Sequence, residues 1–154
     1  MNNANLFPFE RNRYFYGKLL TVRDFEVEQR YHSGKRKLLN RLIHGAGVVC
    51  GLGVTASDES TLMIESGMAL DYQGREIVLP EAMFRKLQML DGQDSLSGKR
   101  DAYLCLCYAE EDVEPVNATG SQVGDQRQYD LTREGYRLYL TTEAPDYRTL
   151  LEAG

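Results

Sequence analysis

The sequence predicts an α+β fold: an N-terminal arm and one long helix, then a mostly antiparallel β-rich body built as a meander or sandwich. Three observations predict it. Helix start and stop signals frame residues 21 to 45, the apolar period changes to two from Gly47 onward, and Gly74 lies between two short apolar runs as a hairpin residue. The arm and helix occupy residues 1–44, and the β-rich body 45–154 packs as a single domain.

The arm, Arg11-Asn12-Arg13-Tyr14-Phe15-Tyr16-Gly17-Lys18-Leu19-Leu20, alternates basic and aromatic side chains. Three adjacent rings without a helix or strand of their own need a surface to cover them, and full burial of one is worth about 1.5–3 kcal/mol. Phe15 and at least one of Tyr14 and Tyr16 are therefore expected against the β-rich body or a neighbouring subunit. Tyrosine and arginine together are what protein interfaces favour. The candidate interface residues are Arg11, Arg13, Tyr14, Phe15, Tyr16, Arg23, Arg30 and Arg36. Stacking of these rings on single-stranded nucleic acid is the competing reading.

Thr21 followed three residues later by Asp24 fits a capping box, so a helix begins at about Val22. It runs to about Ile43, with Gly45 as the stop. Its apolar positions, Phe25, Tyr31, Leu38, Leu39, Leu42 and Ile43, are dense only in the last two turns, and Gly34 costs about 1 kcal/mol relative to alanine in a helix interior. A helix this polar projects from the body or packs on a partner.

From Gly47 the pattern is that of strands. Val48, Cys50, Leu52 and Val54 share one face, Leu62 and Ile64 continue the alternation, and Met68 to Leu70 pairs with Glu76 to Leu79 across the Asp71-Tyr72-Gln73-Gly74-Arg75 turn. Pro80 ends that strand. Residues 91 to 100 read as a polar loop, and the unbroken run Ala102 to Tyr108 as a central strand covered on both faces. A flexible acidic loop is expected from Glu110 to about Gln128, and a last strand over Gly135 to Leu140. The end of the chain, Tyr147 to Gly154, reads as the start of a helix or linker.

Length and composition bound the function. A chain of 154 residues is about one domain, and its 42% hydrophobic and 27% charged content is ordinary for a folded protein. No apolar run approaches the ~18 residues of a membrane helix, and the start, Met1 to Leu6, shows no secretory signal, so a soluble protein is expected, one that would leave the cell, if at all, by another route. Three cysteines do not make a disulfide framework. The net charge of −5 argues against nucleic acid as a partner. Residues 11 to 41 nevertheless hold nine of the eighteen basic side chains, and the remainder is acidic. Such asymmetry lets the two halves attract each other, or attract copies of one another in an assembly.

No motif reads as catalytic. The glycines of Gly45-Ala46-Gly47-Val48-Val49-Cys50-Gly51 have the wrong spacing for a dinucleotide fingerprint and follow a helix instead of a strand. Cys105 and Cys107, on one strand face about 7 Å apart, read as small core side chains; a zinc site with Cys50 and His32 or His44 would lack the usual ligand spacing. Glu110, Glu111, Asp112 and Glu114 read as a solvated loop in preference to calcium ligands or an acid/base pair. His44 suits a helix C-terminus, whose dipole favours a cation. Asn117-Ala118-Thr119 matches a glycosylation acceptor by chance. No enzyme activity, cofactor or metal is expected.

The segments Arg11 to Phe25, Gln29-Arg30-Tyr31, Leu39-Asn40-Arg41-Leu42 and Gly47-Val48-Val49-Cys50-Gly51-Leu52 resemble the N-terminal domain of a group of bacterial proteins associated with phage-tail-like contractile injection systems. Ser66 to Ile77 is similar to segments of tail baseplate and fibre-attachment proteins. The resemblance covers roughly residues 9 to 140 and carries over no catalytic residue; members of the group tend to be longer. It implies a structural or adaptor component of such a particle, assembled in the cytoplasm and then carried in an intracellular or released particle. Its partners would be copies of itself or baseplate, sheath, tube or fibre subunits, with no membrane insertion. A small-ligand or glycan-binding module using exposed tyrosines is the alternative from another class.

Overall fold

Thr21 opens the helix as its spacing predicts: its amide donates to Asp24 Oδ2 at 2.9 Å and its hydroxyl donates to the same oxygen at 2.7 Å. Helix α1 covers Val22–Leu39 and then widens into a π-helical turn, Asn40–His44. The Gly45 amide closes that turn on the Asn40 carbonyl at 2.9 Å, with Gly45 at φ 72°. The stop is where the glycine put it, but the last turn is π instead of α. The computed structural model describes residues 8–91, 102–116 and 128–144.

Eight strands follow: β1 Gly47–Gly51, β2 Val54–Ala56, β3 Thr61–Ile64, β4 Gly67–Leu70, β5 Glu76–Leu79, β6 Met83–Lys86, β7 Tyr103–Val116 and β8 Gln128–Thr141. The first six form a three-pass antiparallel meander folded across a crease. On one side lies the sheet β1-β4-β5, on the other β2-β3-β6. The expectation of one continuous strand face from Val48 to Val54 is corrected here. Gly51 and Leu52 both take positive φ, 61° and 58°, which breaks the strand and swings Leu52 out of the alternation. A Cβ on Gly51 would stand 2.0 Å from the Ser66 carbonyl oxygen, so the crease exists only because the two backbones touch at glycine. The Leu52 amide bonds Ser66 O at 3.2 Å and the Glu65 amide bonds Gly53 O at 2.9 Å, so the ladder is bridged across the break.

The Asp71–Arg75 turn forms as read. Asp71 Oδ1 accepts the amides of Gln73 (2.9 Å) and Arg75 (2.8 Å), and Gly74 sits at φ 78°. This turn also carries the helix. Asn40 Nδ2 donates to the Gly74 carbonyl and to Glu76 Oε1, both at 3.0 Å, and Arg36 Nε reaches Glu76 Oε2 at 3.0 Å. Otherwise α1 buries no residue, in keeping with its polar first half.

The largest correction concerns the last two strands. Tyr103 to Tyr108 is not a central strand: among the described residues β7 and β8 form a two-stranded ribbon of 14 residues on each side, with a single isolated β-bridge to the rest, between Asp91 and Tyr139. Residues 110–116 of the acidic stretch read as a loop continue the ribbon, with Glu111 opposite Arg133, Asp112 opposite Thr132 and Val113 opposite Leu131, while residues 117–127 of that stretch lie outside the described residues. The strand read from Gly135 starts seven residues earlier, at Gln128. The ladder supplies backbone partners to residues whose charged side chains need only solvent. The polar loop read over 91 to 100, apart from Asp91, the acceptor site at Asn117 and the terminal segment from Tyr147 lie outside the described residues.

The core is small. Ile64, Ala69, Leu70, Ile77, Leu79, Leu90 and Leu140 are its buried members, where the meander meets the base of the ribbon. The ribbon is fixed there by the Leu140 amide on the Asp91 carbonyl (2.8 Å), by Tyr136 OH on Met83 Sδ (3.7 Å) and by the Arg75 guanidinium 4.6 Å from the Tyr108 ring centre.

Candidate functional site

The arm is folded back along the helix and pinned at three places. Phe9 meets Tyr31 edge to face at 6.4 Å, with Lys35 Nζ 5.7 Å from one ring centre and 5.5 Å from the other. Gly34 makes room for it: a Cβ there would lie 2.9 Å from Phe9 Cε1. Asn12 Nδ2 donates to the Asp24 carbonyl oxygen, and Lys18 Nζ lies 2.6 Å from Asp24 Oδ1. The Lys18 hydrogen bond, followed by those from Thr21, holds the Asp24 carboxyl well below the usual carboxylate range.

Between the pins the chain turns, with Gly17 at φ 82° and the Lys18 amide on the Phe15 carbonyl at 3.1 Å. That turn carries Tyr14, Phe15 and Tyr16 away from the helix, leaving them 60%, 66% and 106% exposed. Among the described residues the three rings therefore find no cover on the β-rich body, and Tyr14 has Lys18 Nζ 5.5 Å from its ring centre. Phe9, which the sequence reading passed over, takes the anchoring role, because it is the ring that faces a glycine on the helix.

Arg11, Arg13 and Arg23 are exposed around the same end of the helix and have no ion-pair partner among the described residues. Leu19, Val22 and Phe25 extend the apolar surface between them. Arg30 stands further along the exposed helix, its Nε on the Glu26 carbonyl at 3.3 Å. Arg36 does not join this group. It is turned to the body as the partner of Glu76.

Two further apolar surfaces stand open. Leu39, Leu42 and Ile43 are exposed at the helix end, as are Val48 and Val49 on β1, and β1 is an edge strand with one row of backbone donors and acceptors unpaired within its sheet. The outer ribbon is amphipathic. By register one face carries Val113 opposite Leu131 and Pro115 opposite Tyr129, and the other carries Glu110 opposite Glu134 and Asp112 opposite Thr132. Across the described residues, twenty-one large hydrophobic side chains are exposed against seven buried hydrophobic ones.

Chemistry inside the chain is sparse. Among the described residues no group of three or more His, Cys, Asp and Glu side chains is arranged to hold a metal ion. Burial pushes the Cys105 thiol up, and burial followed by its hydrogen bond with Cys105 pushes the Tyr139 phenol to about 12, so neither ionises near neutrality. Burial and then Glu110, whose Oε1 accepts from Tyr108 OH at 2.7 Å, push the Tyr108 phenol up as well. Cys50 is exposed and Cys107 half-buried, with no disulfide to either. Among the described residues no helix is long and apolar enough to cross a membrane.

No protein-family model matches the chain, and no curated protein sequence does. Among solved structures, a chain of the baseplate complex from the type VI secretion system is similar at 12% identity, with a TM-score of 0.37, over 88% of this chain and 49% of that one. The protein thus spans about half the length of that neighbour.

Proposed function

We propose that this protein is a non-catalytic structural or adaptor subunit of a contractile, phage-tail-like particle, working through protein-protein contacts. The observation that carries the reading is the arm. Three exposed rings and three unpaired arginines are presented on a segment that is itself held down by Phe9, Asn12 and Lys18. A rigid aromatic and arginine surface is the composition of an interface hot spot, and its rigidity lowers the entropy lost on binding. The resemblance of Arg11 to Phe25 to the injection-system group supports the particle assignment, and the exposed helix end and edge strand support contact with more than one neighbour.

The test is co-purification of a tagged chain from its native cell under non-denaturing conditions, with the bound proteins quantified by mass spectrometry. Stoichiometric recovery of sheath, tube, baseplate or fibre proteins is expected. A chain recovered alone, as a strict monomer, overturns the reading.

A further inference from the structure

The arm and the ribbon are chemically complementary surfaces on one chain. From residue 8 to 25, the arm and helix start, the chain carries four basic and two acidic side chains, a net +2. The outer ribbon, residues 110 to 116 and 128 to 134, carries six acidic and one basic, a net −5. Each charged surface is built around exposed apolar groups: Tyr14, Phe15 and Tyr16 on the arm, Tyr129 and Leu131 on the ribbon. Neither surface satisfies the other within the chain. The described ion pairs of the arm and helix go to Asp24, Glu28 and Glu76, and none goes to β7 or β8.

We infer that the outer ribbon docks onto the arm and helix start of a second copy of this chain, with its acidic face, Glu110, Asp112 and Glu134, laid toward Arg11, Arg13 and Arg23. Glu110 and Glu134 are directly opposed like charges beside the Tyr108 hydroxyl, which donates to Glu110, and an approaching cation offsets the repulsion that remains. Arginine supplies it with a planar donor fork suited to carboxylates. Because each copy carries one ribbon and one arm, the contact is either reciprocal in a pair or repeated head to tail around a ring. The inference rests on the reading that the chain acts through protein contacts, and it names one of the partners.

Native mass spectrometry and light scattering of the whole purified chain test it. The wild type is expected to self-associate, and raising ionic strength from about 0.1 M to about 1 M, which shortens the Debye length from about 10 Å to about 3 Å, should weaken association at least about tenfold. Two variants, Glu110→Lys with Asp112→Lys and Glu134→Lys, and Arg11→Glu with Arg13→Glu and Arg23→Glu, should each be monomeric, yet associate with each other when mixed. Misfolded chains would not rescue one another. Should either variant fail to fold, photo-cross-linking from benzoylphenylalanine in place of Tyr16, in mixed isotopically light and heavy chains, decides: cross-links into residues 110–116 or 128–134 of the other copy support the contact, and their absence overturns it. A wild-type chain that stays monomeric at low salt overturns it too, even if particle proteins still co-purify, which would leave the adaptor reading standing. Self-association through these surfaces by a chain that enters no particle does the reverse.

Discussion

A Cβ atom on Gly74 would stand 2.2 Å from the carbonyl oxygen of Lys37, so the hairpin turn and the helix backbone touch where a side chain is missing. Around that contact lie the hydrogen bonds from Asn40 to Gly74 and Glu76. Gly74→Ala meets two penalties, the positive φ of 78° and the collision with Lys37, and is expected to destabilise the fold by about 2–4 kcal/mol. Urea unfolding reads it. An unchanged midpoint would show that the helix does not dock on this turn.

Gly34 makes a subtler test. Glycine to alanine in an exposed helix interior ordinarily stabilises by about 1 kcal/mol, but here the new methyl group meets the Phe9 ring. In the wild-type background Gly34→Ala should gain little or lose, and in a Phe9→Ala background it should regain most of that ~1 kcal/mol. Equal effects in both backgrounds would mean that the arm does not pack on the helix.

The arm rings are expected to be silent in folding. Tyr14, Phe15 and Tyr16 replaced together with serine should leave the melting temperature of the isolated chain within the ~0.5 kcal/mol range of surface changes, while incorporation into a particle is lost. Phe9→Ser, by contrast, should cost about 1–2 kcal/mol because that ring is partly covered. A triple variant that melts early at a concentration where both chains are monomeric would place the rings in an intramolecular contact, and one that still assembles normally would make them a solvated tail.

Asp24 makes stability depend on acid. Its folded pKa is depressed, so its contribution is fully present above the ordinary carboxylate range and fades as pH falls through that range toward the folded value. Asp24→Asn should therefore lower the melting temperature at pH 7 and converge with the wild type at the acid end. Parallel melting curves across the acid limb would remove Asp24 from its role at the helix start.

Tyr139 does the opposite at the alkaline end. With its phenol raised to about 12, the neutral form is favoured in the fold, so the stability it adds is present below the unfolded value of about 10 and is lost as pH climbs toward 12. Absorbance titration at the phenolate band should show two late-ionising tyrosines in the folded chain, Tyr108 and Tyr139, of which Tyr139→Phe removes one. If the variant leaves the titration unchanged, another phenol is the shielded one.

The helix was legible because its signals are local. Thr21, Asp24 and Gly45 act within one turn of the residues they cap, so spacing alone places both ends, and the Asp71 to Arg75 turn follows for the same reason. The ribbon was half legible. Gln128 to Thr132 alternates polar and apolar, with Tyr129 and Leu131 on one side, and this period of two was the signal for the outer strand that the nearby acidic cluster obscured.

What the sequence by itself determined is therefore the α+β class, the helix bounds, the hairpin turn and the charge asymmetry, all set by neighbours in the chain. Tertiary structure alone decided the rest: the crease at Gly51 and Leu52, the partnering of β7 with β8 and no other strand, the choice of Phe9 over Phe15 as the anchoring ring, and the diversion of Arg36 to Glu76. Each of these depends on a backbone or side chain far along the sequence arriving at contact distance. Gly34 reads as a cost until Phe9 is seen beside it, and Glu110 reads as loop until Glu134 is seen across the ladder, because a residue's pattern carries its own preference and not its partner's position.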